Sequence, residues 1–391
     1  MRRIKQALLA LLALTVVAVA AFLAIAPGYV ERSRNVVQAH APFPVSDAAR
    51  ALHADLTVGD WHADSLLWQR DIGTRGTRGH VDVPRLIEGG VALQVFTAVT
   101  KSPAGQNIQA NDADAFDTIT PLAIGQLWPP RTWASLTERA LYQAEKLHKV
   151  AARFPDRLTV ITDRATLDAH LAARAAGGDA VGGLLGIEGA HALEGDLANL
   201  DQLEAAGHRV IGLHHFFDNA LGGSLHGRSN AGLTDFGRAV VQEVAARGMV
   251  LDLAHSSPAV VRDVLAITDM PLIVSHTGLH GHCAVKRNLA DDLMQAIAAT
   301  GGVIGMGYWA TVTCGDTTPE GIARMIVKGV ATVGADHVSL GSDFDGSVTT
   351  AFDTSELPAL THALLAAGLD ADTVGKVMGG NMVRVLRARL P

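Results

Sequence analysis

Cysteine, aromatic residues and positive charge are all scarce in this 391-residue chain. Its two cysteines, Cys283 and Cys314, exclude a disulfide scaffold. An oxidising compartment would still allow one bridge between them, because both lie in loops after neighbouring predicted strands; two unpaired thiols are the alternative. The formal net charge of −7 provides no basic surface, so we expect no nucleic-acid partner. No G-x-G-x-x-G loop follows the first predicted strand, which argues against a dinucleotide-binding fold.

The N-terminal segment is strongly apolar. Three basic residues among the first five precede an uncharged stretch from Ala7 to Ala26, which is long enough to cross a bilayer as a helix. Residues 1–27 are therefore predicted to be a membrane anchor or a signal segment, and Pro27 directly after Ala26 favours an uncleaved anchor. The basic N-terminus predicts that the following domain lies outside the cytoplasm, in the periplasm if the organism is a bacterium. Cleavage would make the protein a secreted one.

After this segment, the sequence divides into a linker and one large domain. Residues 28–50 carry mixed charge and two prolines without a sustained period, which predicts a linker. Residues 51–391 contain eight short apolar runs separated by amphipathic segments, an alternation typical of α/β folds with parallel strands. Eight strands favour closure into a (β/α)8 barrel of the TIM type over an open doubly wound sheet. The runs lie near 57–62, 91–98, 183–188, 209–214, 249–255, 271–276, 302–307 and 337–343.

Helix-start signals occur throughout the predicted domain. Ser135 begins a capping box that opens a long helix, and Thr234, Ser257 and Thr318 are placed to cap three later helices. The region from about 100 to 180 interrupts the rhythm of strands and helices. We interpret it as an excursion at the mouth of the barrel, where it can contact a substrate; an ordinary surface excursion is the alternative.

Four predicted strands lead into side chains that commonly bind metals. His62 and Asp64 follow one strand, and Glu188, His255 and His276 end three others. A buried imidazole or carboxylate is costly unless it is compensated, and one cation compensates several when the strand ends meet on one face of a barrel. A core histidine with ordinary partners is the alternative for any single one. Two metals sharing a hydroxide fit the set, with zinc favoured by its nitrogen and oxygen donors and manganese or iron as alternatives.

Eight short motifs follow one another along this domain. They are Asp60-x-His-x-Asp64, Gly186-Ile-Glu-Gly189, Leu213-His-His215, Gly232-Leu-Thr, Gly248-Met-Val-Leu-Asp-Leu-x-His255, Ser275-His276, Arg287-Asn288-x-x-Asp291 and Gly341-Ser-Asp-Phe-Asp-Gly346. In this order and spacing the chain resembles the membrane dipeptidase family, the renal dipeptidase-like metallopeptidases. The resemblance runs from about residue 55 to the terminal Gly380-Asn-Met-Val-Arg384.

The resemblance implies a distorted (β/α)8 barrel of the metal-dependent hydrolase kind, with two zinc ions per chain. In the family pattern, His62 and Asp64 would hold the first zinc ion and Glu188 would bridge the two. His255 and His276 would hold the second ion. The resemblance also implies a homodimer and tolerance of a D-residue at the C-terminal position of the substrate.

Three further residues would act on the substrate according to the same resemblance. His215 would contact the scissile group, Arg287 the C-terminal carboxylate, and Asp343 would lie beside the metals. A guanidinium grips a carboxylate with two parallel hydrogen bonds, which suits Arg287 to that role. Asp343 can accept the proton of the attacking water and donate it to the leaving amine. Asp345 points to the same side of an extended chain and is the alternative for this role, although we expect it to cap the following loop; loop capping is also the alternative for Asp343.

Some positions leave alternatives open or depart from the family pattern. Arg287 could instead form a surface ion pair with Asp291 or Asp292. The family motif usually carries a smaller residue at the position of His214, and smaller or more polar residues are commoner where this chain has Phe216-Phe217. Since neighbouring residues of an extended chain face opposite ways, only one histidine of the His214-His215 doublet can point into the site.

These patterns together predict a zinc-dependent dipeptidase that hydrolyses dipeptides with a free C-terminal carboxylate and is tethered to a membrane by its N-terminal helix. The alternatives are another binuclear-metal hydrolase, acting on N-acyl amino acids, lactones or phosphoesters, and a non-catalytic membrane-tethered metal-binding protein. Four more histidines near the predicted mouth are interpreted as loop residues and not as ligands: His191, His226, His280 and His282.

Overall fold

The computed structural model describes residues 2–391. The strands of this part are β1 (Val36–Val37), β2 (Val58–Ala63), β3 (Val91–Val99), β4 (Leu158–Val160), β5 (Val181–Glu188), β6 (His208–Gly212), β7 (Val250–Asp252), β8 (Ile273–Thr277), β9 (Val303–Met306), β10 (Val338–Leu340) and β11 (Thr349–Thr350). The α-helices are α1 (Arg2–Arg34), α2 (Asp47–Asp55), α3 (Val83–Glu88), α4 (Ile119–Gly125), α5 (Leu136–Arg153), α6 (Arg164–Ala175), α7 (Ala198–Ala205), α8 (Asp235–Ala246), α9 (Pro258–Ile267), α10 (Asp291–Ala299), α11 (Pro319–Val333), α12 (Leu357–Ala366), α13 (Ala371–Gly375) and α14 (Asn381–Arg389).

Eight parallel strands close into a barrel in the order β3, β2, β10, β9, β8, β7, β6 and β5. The closing pair is β3 with β5, in a continuous register from Leu93 opposite Gly182 to Val99 opposite Glu188. Register shifts interrupt three pairs, β2 with β3, β5 with β6 and β8 with β9, so the barrel is distorted. The predicted (β/α)8 barrel is confirmed. β4, which pairs with the start of β5, was not among the predicted strands.

The continuous apolar runs of the sequence correspond to strands that are buried on both faces. β2, β3 and β5 are buried at every position, because helices cover the outside of the barrel and side chains fill its interior. Four predicted helix starts are also confirmed. The side chains of Ser135, Thr234, Ser257 and Thr318 each accept a hydrogen bond from the backbone N–H three residues later, at the starts of α5, α8, α9 and α11.

The N-terminal apolar segment forms one long helix. α1 runs from Arg2 to Arg34 and contains an apolar stretch long enough to cross a membrane, none of which is buried against the domain. The helix therefore continues seven residues beyond the predicted segment 1–27, through Pro27. Residues 28–50 are not a linker throughout, since they include the end of α1, the strand β1 and the start of α2. The longest stretch of 28–50 without helix or strand is 38–46, which contains Pro42 and Pro44.

Candidate metal centre

Five predicted ligand residues meet at the carboxyl end of the barrel. His62 lies in β2 and Asp64 just after it, Glu188 is the last residue of β5, and His276 lies in β8. His255 follows β7 by three residues, outside the strand to which the sequence had assigned it. Its backbone is left-handed, with φ of 60°, a conformation that is uncommon for residues other than glycine and costs free energy. Parallel strands thus carry all five side chains to one face.

Glu188 lies at the centre of this cluster. Its Oε1 is 3.5 Å from His62 Nε2, 3.1 Å from His255 Nε2 and 3.4 Å from His276 Nε2. Asp64 Oδ1 lies 3.4 Å from the same nitrogen of His62. All five side chains are buried. One carboxylate oxygen therefore faces three imidazole nitrogens.

The donor set fits divalent metal ions. His255 Nε2 and His276 Nε2 lie 2.9 Å apart, within hydrogen-bond distance, and His62 Nε2 is buried without a hydrogen-bond partner among the described residues, so three ring nitrogens converge on one small region. The opposite nitrogens of two rings are occupied, because Ser275 Oγ lies 3.2 Å from His62 Nδ1 and 2.8 Å from His276 Nδ1. Such a partner fixes the ring and leaves Nε2 free for a metal. All donors are nitrogen or oxygen, a set suited to zinc, manganese or iron.

The charges of the cluster are compatible with a bound cation. Burial, followed by the charge of Asp64, raises the pKa of Glu188 well above its usual range. Burial lowers the pKa of His62, but the carboxylates of Asp64 and Glu188 outweigh burial and raise that pKa to about 10. Burial and the nearby Arg287 lower the pKa values of His255 and His276 well below 6.5, so these rings stay neutral, the form that binds a metal. Burial therefore disfavours the ionised form of Glu188, and a bound cation would offset this penalty.

Arg287 lies beside the five clustered ligand side chains, called the metal cluster below, and not on the surface. Its Nη2 donates to the carbonyl of His276 over 2.8 Å and lies 3.3 Å from His255 Nε2. The guanidinium stands 5.4 Å from the ring centre of Trp309. The alternative surface ion pair is wrong, because Asp291 accepts a hydrogen bond from Gly281 and Asp292 pairs with Arg262. The remaining donors of this buried guanidinium are available to an anionic group at the mouth of the barrel.

His215 points into the cluster and His214 points away from it. His215 Nε2 lies 3.3 Å from Glu188 Oε2, whereas His214 Nδ1 lies 3.1 Å from Ser256 Oγ. Burial lowers the pKa of His215 to about 4, which keeps the ring neutral near physiological pH. The expectation that only one of the doublet faces the site is therefore met by the geometry. His215 Nδ1 is 3.3 Å from the carbonyl of Lys101, so the excursion after β3 reaches the mouth of the barrel.

One histidine that the sequence assigned to a loop lies directly against the cluster. The ring of His226 stacks on Phe216 at 4.6 Å and stands 5.2 Å from the ring of His255. Its Nδ1 is 2.9 Å from the carbonyl of Ile108, and its buried Nε2 has no partner among the described residues. Phe216, which departs from the family pattern, thus packs between two site histidines. His226 bears no motif, so nothing in its sequence context distinguished it from other loop histidines.

Asp343 and Asp345 have different surroundings although they are two residues apart. Asp343 lies in the loop after β10, with Oδ1 4.0 Å from His62 Nε2; burial raises its pKa to about 8, against the opposing charge of His62. Asp345 is fully buried and accepts hydrogen bonds from Ser65 Oγ and the N–H of His80, each over 2.6 Å. The two do not lie on one extended strand, because both have left-handed backbones. The structural role expected for Asp345 agrees with these contacts.

The two cysteines form a disulfide. Cys283, in the loop after β8, is bonded to Cys314, in the loop after β9. Of the two alternatives that the sequence left open, the structure has the bridge. It joins the loop that carries Arg287 to the loop that carries Trp309.

Comparison with known proteins agrees with this geometry. The sequence profile of the family described as Membrane dipeptidase (Peptidase family M19) matches residues 46–389. Dipeptidase aclJ of Aspergillus oryzae is 29% identical over 317 residues, which cover 79% of this chain and 69% of that protein.

Solved structures of the same kind share the fold. Dipeptidase AC, a metallopeptidase of family M19, is 26% identical, with a TM-score of 0.70, and the match covers 86% of this chain and 99% of that one. A metallopeptidase from Rhodobacter sphaeroides, solved with a phosphinate mimic of the dipeptide L-Ala-D-Ala, is also 26% identical, with a TM-score of 0.68 and coverage of 85% and 99%. The chain therefore belongs to the membrane dipeptidase family, peptidase family M19, and is a metallo-dipeptidase.

Proposed function

We propose that this metallo-dipeptidase uses two zinc ions held at the carboxyl end of the barrel. His62 and Asp64 would hold one ion, His255 and His276 the other, and Glu188 would bridge them. The observation that carries this proposal is the position of Glu188, whose Oε1 lies within 3.5 Å of three imidazole Nε2 atoms from three different strand ends. Bound zinc would supply Lewis acidity at the scissile carbonyl and lower the pKa of the attacking water.

Three residues around the cluster carry out the remaining steps of peptide hydrolysis. Asp343 accepts the proton of the attacking water and returns it to the leaving amine, a task suited to a carboxyl group whose pKa is raised toward neutrality by burial. His215 faces the oxygen that gains negative charge at the scissile group and donates a hydrogen bond to it in the tautomer that carries the ring proton on Nε2. Arg287 binds the C-terminal carboxylate of the dipeptide with its free donors.

We further propose that the substrates include dipeptides with a C-terminal D-residue. The relative from Rhodobacter sphaeroides was solved with a mimic of L-Ala-D-Ala, which supports testing this substrate first. The apolar helix α1 supports a membrane-anchored enzyme whose catalytic domain lies outside the cytoplasm, in the periplasm of a bacterium. The homodimer implied by the resemblance stays a prediction, which light scattering of the purified chain would test.

Metal analysis and a substrate panel test the proposal directly. Full-length protein purified in detergent should contain zinc in excess of one ion per chain and should cleave L-Ala-L-Ala and L-Ala-D-Ala, with activity lost on chelation and restored by zinc. Arg287→Ala should raise KM for free dipeptides by about 10- to 100-fold, because one charge-assisted pair is lost. The amide of L-Ala-L-Ala is the control substrate, on which the variant should match the wild type. Zinc-loaded protein that cleaves neither dipeptide would refute the proposal.

A further inference from the structure

The loop that carries Asp343 is held by residues of the N-terminal segment. Glu31, near the end of α1, is 1% exposed and accepts hydrogen bonds from Arg70 Nε and Arg78 Nε, each over 2.5 Å. The same Arg70 side chain donates through Nη2 to Asp345. Glu31, Arg70 and Asp345 thus form a buried chain of alternating charges, which ends two residues from Asp343.

Two further contacts from the same segment reach the other side of this loop. Asn35 Oδ1 accepts a hydrogen bond from the N–H of Ser347 over 2.9 Å. β1 then pairs in parallel with β11, with Val36 opposite Thr349 and Val37 opposite Thr350. The segment Glu31–Val37 therefore holds the loop after β10 at its middle, through Arg70, and at its end, through Asn35 and β1.

The loop needs such external support because its own backbone is unfavourable. Asp343, Asp345 and Ser347 all have positive φ, between 60° and 64°, a region that costs free energy for residues other than glycine. Strained conformations of this kind persist only when the surrounding structure determines them. Gly346 is required for close approach, because a Cβ atom there would lie 2.0 Å from Asp343 Oδ1.

We propose that the segment Glu31–Val37 is part of the catalytic structure, in which Glu31 and Asn35 are positioning residues that hold Asp343 at the metal cluster. This inference rests on the role of Asp343 in the proposed function. It assigns a catalytic contribution to the end of the membrane helix, a part of the chain that the sequence marks only as an anchor and a linker. Proton transfer by Asp343 depends on geometry, and a displacement of about 1 Å can cost about 100-fold in rate.

The test uses the full-length chain in detergent, with L-Ala-D-Ala as substrate. Glu31→Gln keeps the size of the side chain but removes the charge that Arg70 and Arg78 contact, and Asn35→Ala removes the acceptor for Ser347. We expect kcat to fall at least about tenfold in Glu31→Gln and less in Asn35→Ala, because Asp343 is displaced. KM and the zinc content per chain should stay within about twofold of the wild type, since Arg287 and the ligands are not touched.

Glu88→Gln is the matched control, because it removes one carboxylate from a surface ion pair with Arg75 in which both side chains are about half exposed. It should leave kcat unchanged. A kcat equal to that of the wild type in both test variants overturns the inference. A fall in kcat that is fully accounted for by a lower zinc content or by less folded protein also overturns it. Asn35→Ala keeps the test decisive if Glu31→Gln does not fold.

Failure of this inference can be told apart from failure of the proposed function. Asp343→Asn is measured in the same assay. If it is inactive while Glu31→Gln and Asn35→Ala behave as the wild type, only the positioning role is wrong. If Asp343→Asn is fully active, the proton-transfer role fails, and the positioning inference fails with it.

Discussion

At the scale of single residues, the neighbouring carboxylates of one loop show how surroundings assign chemistry. Asp345 is held by Arg70, whose charge helps to keep the pKa of Asp345 well below its usual range despite burial. Asp343 faces the metal cluster, and burial shifts its pKa upward. Two identical side chains thus become a fixed anion and a group that can exchange a proton near neutral pH. Only the latter can carry a proton through the reaction.

Asp343→Asn is therefore expected to abolish most of the turnover while leaving the site assembled. The amide cannot accept a proton, so kcat should fall by about 100- to 10,000-fold. KM and zinc content should change little, because Arg287 and the ligands remain. Steady-state kinetics on L-Ala-D-Ala with parallel metal analysis would measure this. Asp336→Asn, at an exposed ion pair with Lys376, is the control. Retained kcat in Asp343→Asn would remove this residue from the mechanism.

A second prediction at this scale concerns stability. His208 begins β6, away from the metal cluster, and burial lowers its pKa from 6.5 to about 4. The unfolded chain therefore binds a proton there between pH 6.5 and 4 that the folded chain does not, so stability falls as the pH is lowered through this window. Protonation of His208 in the unfolded chain should lower the free energy of unfolding by about 3 kcal/mol at pH 4. It should be absent above pH 6.5, where both states are neutral.

Urea unfolding of the wild type and His208→Gln at a series of pH values would test this. The variant has no titrating group at this position, so its free energy of unfolding should depend less steeply on pH between 6.5 and 4. The difference in slope corresponds to the uptake of up to about one proton on unfolding. The comparison uses slopes, so any constant loss of packing in the variant cancels. Identical slopes in the two proteins would contradict the assigned pKa shift.

The residues of the site differ in how far the sequence could predict them. The five ligand-type side chains follow apolar strands, and the burial of those strands requires that such polar ends meet partners. His226 lies in the long loop after β6, and only the folded structure brings its ring to Phe216 and His255. The positions of Glu31 and Arg70 are likewise set by contacts between segments far apart in the chain. The residue type at the end of a strand can be read from the local sequence, whereas contacts between distant segments become apparent only in the tertiary structure.

At the scale of elements, the disulfide connects two loops at the mouth of the barrel. Asn288 supports the same connection, because its Nδ2 donates to the carbonyls of Cys283 and Val312 over 2.9 and 3.0 Å. The loop after β8, which carries Arg287, is thereby fixed to the loop after β9. Substrate binding through Arg287 should depend on this link more than turnover does.

The double variant Cys283→Ala/Cys314→Ala should therefore raise KM for free dipeptides more than it lowers kcat. Its free energy of unfolding should fall by about 3–4 kcal/mol, since the bridge closes a loop of 31 residues in the unfolded chain. Kinetics and urea unfolding measure the two effects. A reducing agent should raise the KM of the wild type and lower its free energy of unfolding in the same way. Both values should stay unchanged in the variant. An unaltered KM in the variant would mean that Asn288 alone fixes the loop.

Sequence patterns predicted elements well where the determinants are local. The caps at Ser135 and Thr318 depend on side chains within three residues of the helix start, and both were predicted correctly. β4 has only three residues, only one of them fully buried, so it lacks the apolar run that marks the barrel strands. Residues 28–50 were harder still. β1 exists because it pairs with β11, more than three hundred positions along the chain, and no local period reports such a pairing.

At the scale of the whole molecule, the last turns of the N-terminal helix α1 and the cluster of ligand residues lie at the same end of the barrel. The end of α1 reaches Asp345 through Arg70, and Asp343 is two residues further back in the same loop. The apolar part of α1 makes no comparable contacts, because the candidate membrane span is not buried. One continuous helix therefore has two parts, an exposed apolar part and a terminal part built into the domain.

Two deletions separate these parts. Removal of residues 2–26 should release the protein from membranes with kcat within about twofold of the full chain, because almost all of the deleted residues are exposed and Glu31, Asn35 and β1 remain. Removal of residues 2–38 also takes away Glu31, Asn35 and β1, so the loop of Asp343 loses its support and kcat should fall at least about tenfold. Membrane flotation and kinetics on L-Ala-D-Ala measure both outcomes. Equal kcat in the two deletions would show that the loop after β10 holds its strained backbone unaided. A fall already at the shorter deletion would instead assign a catalytic contribution to the apolar helix itself.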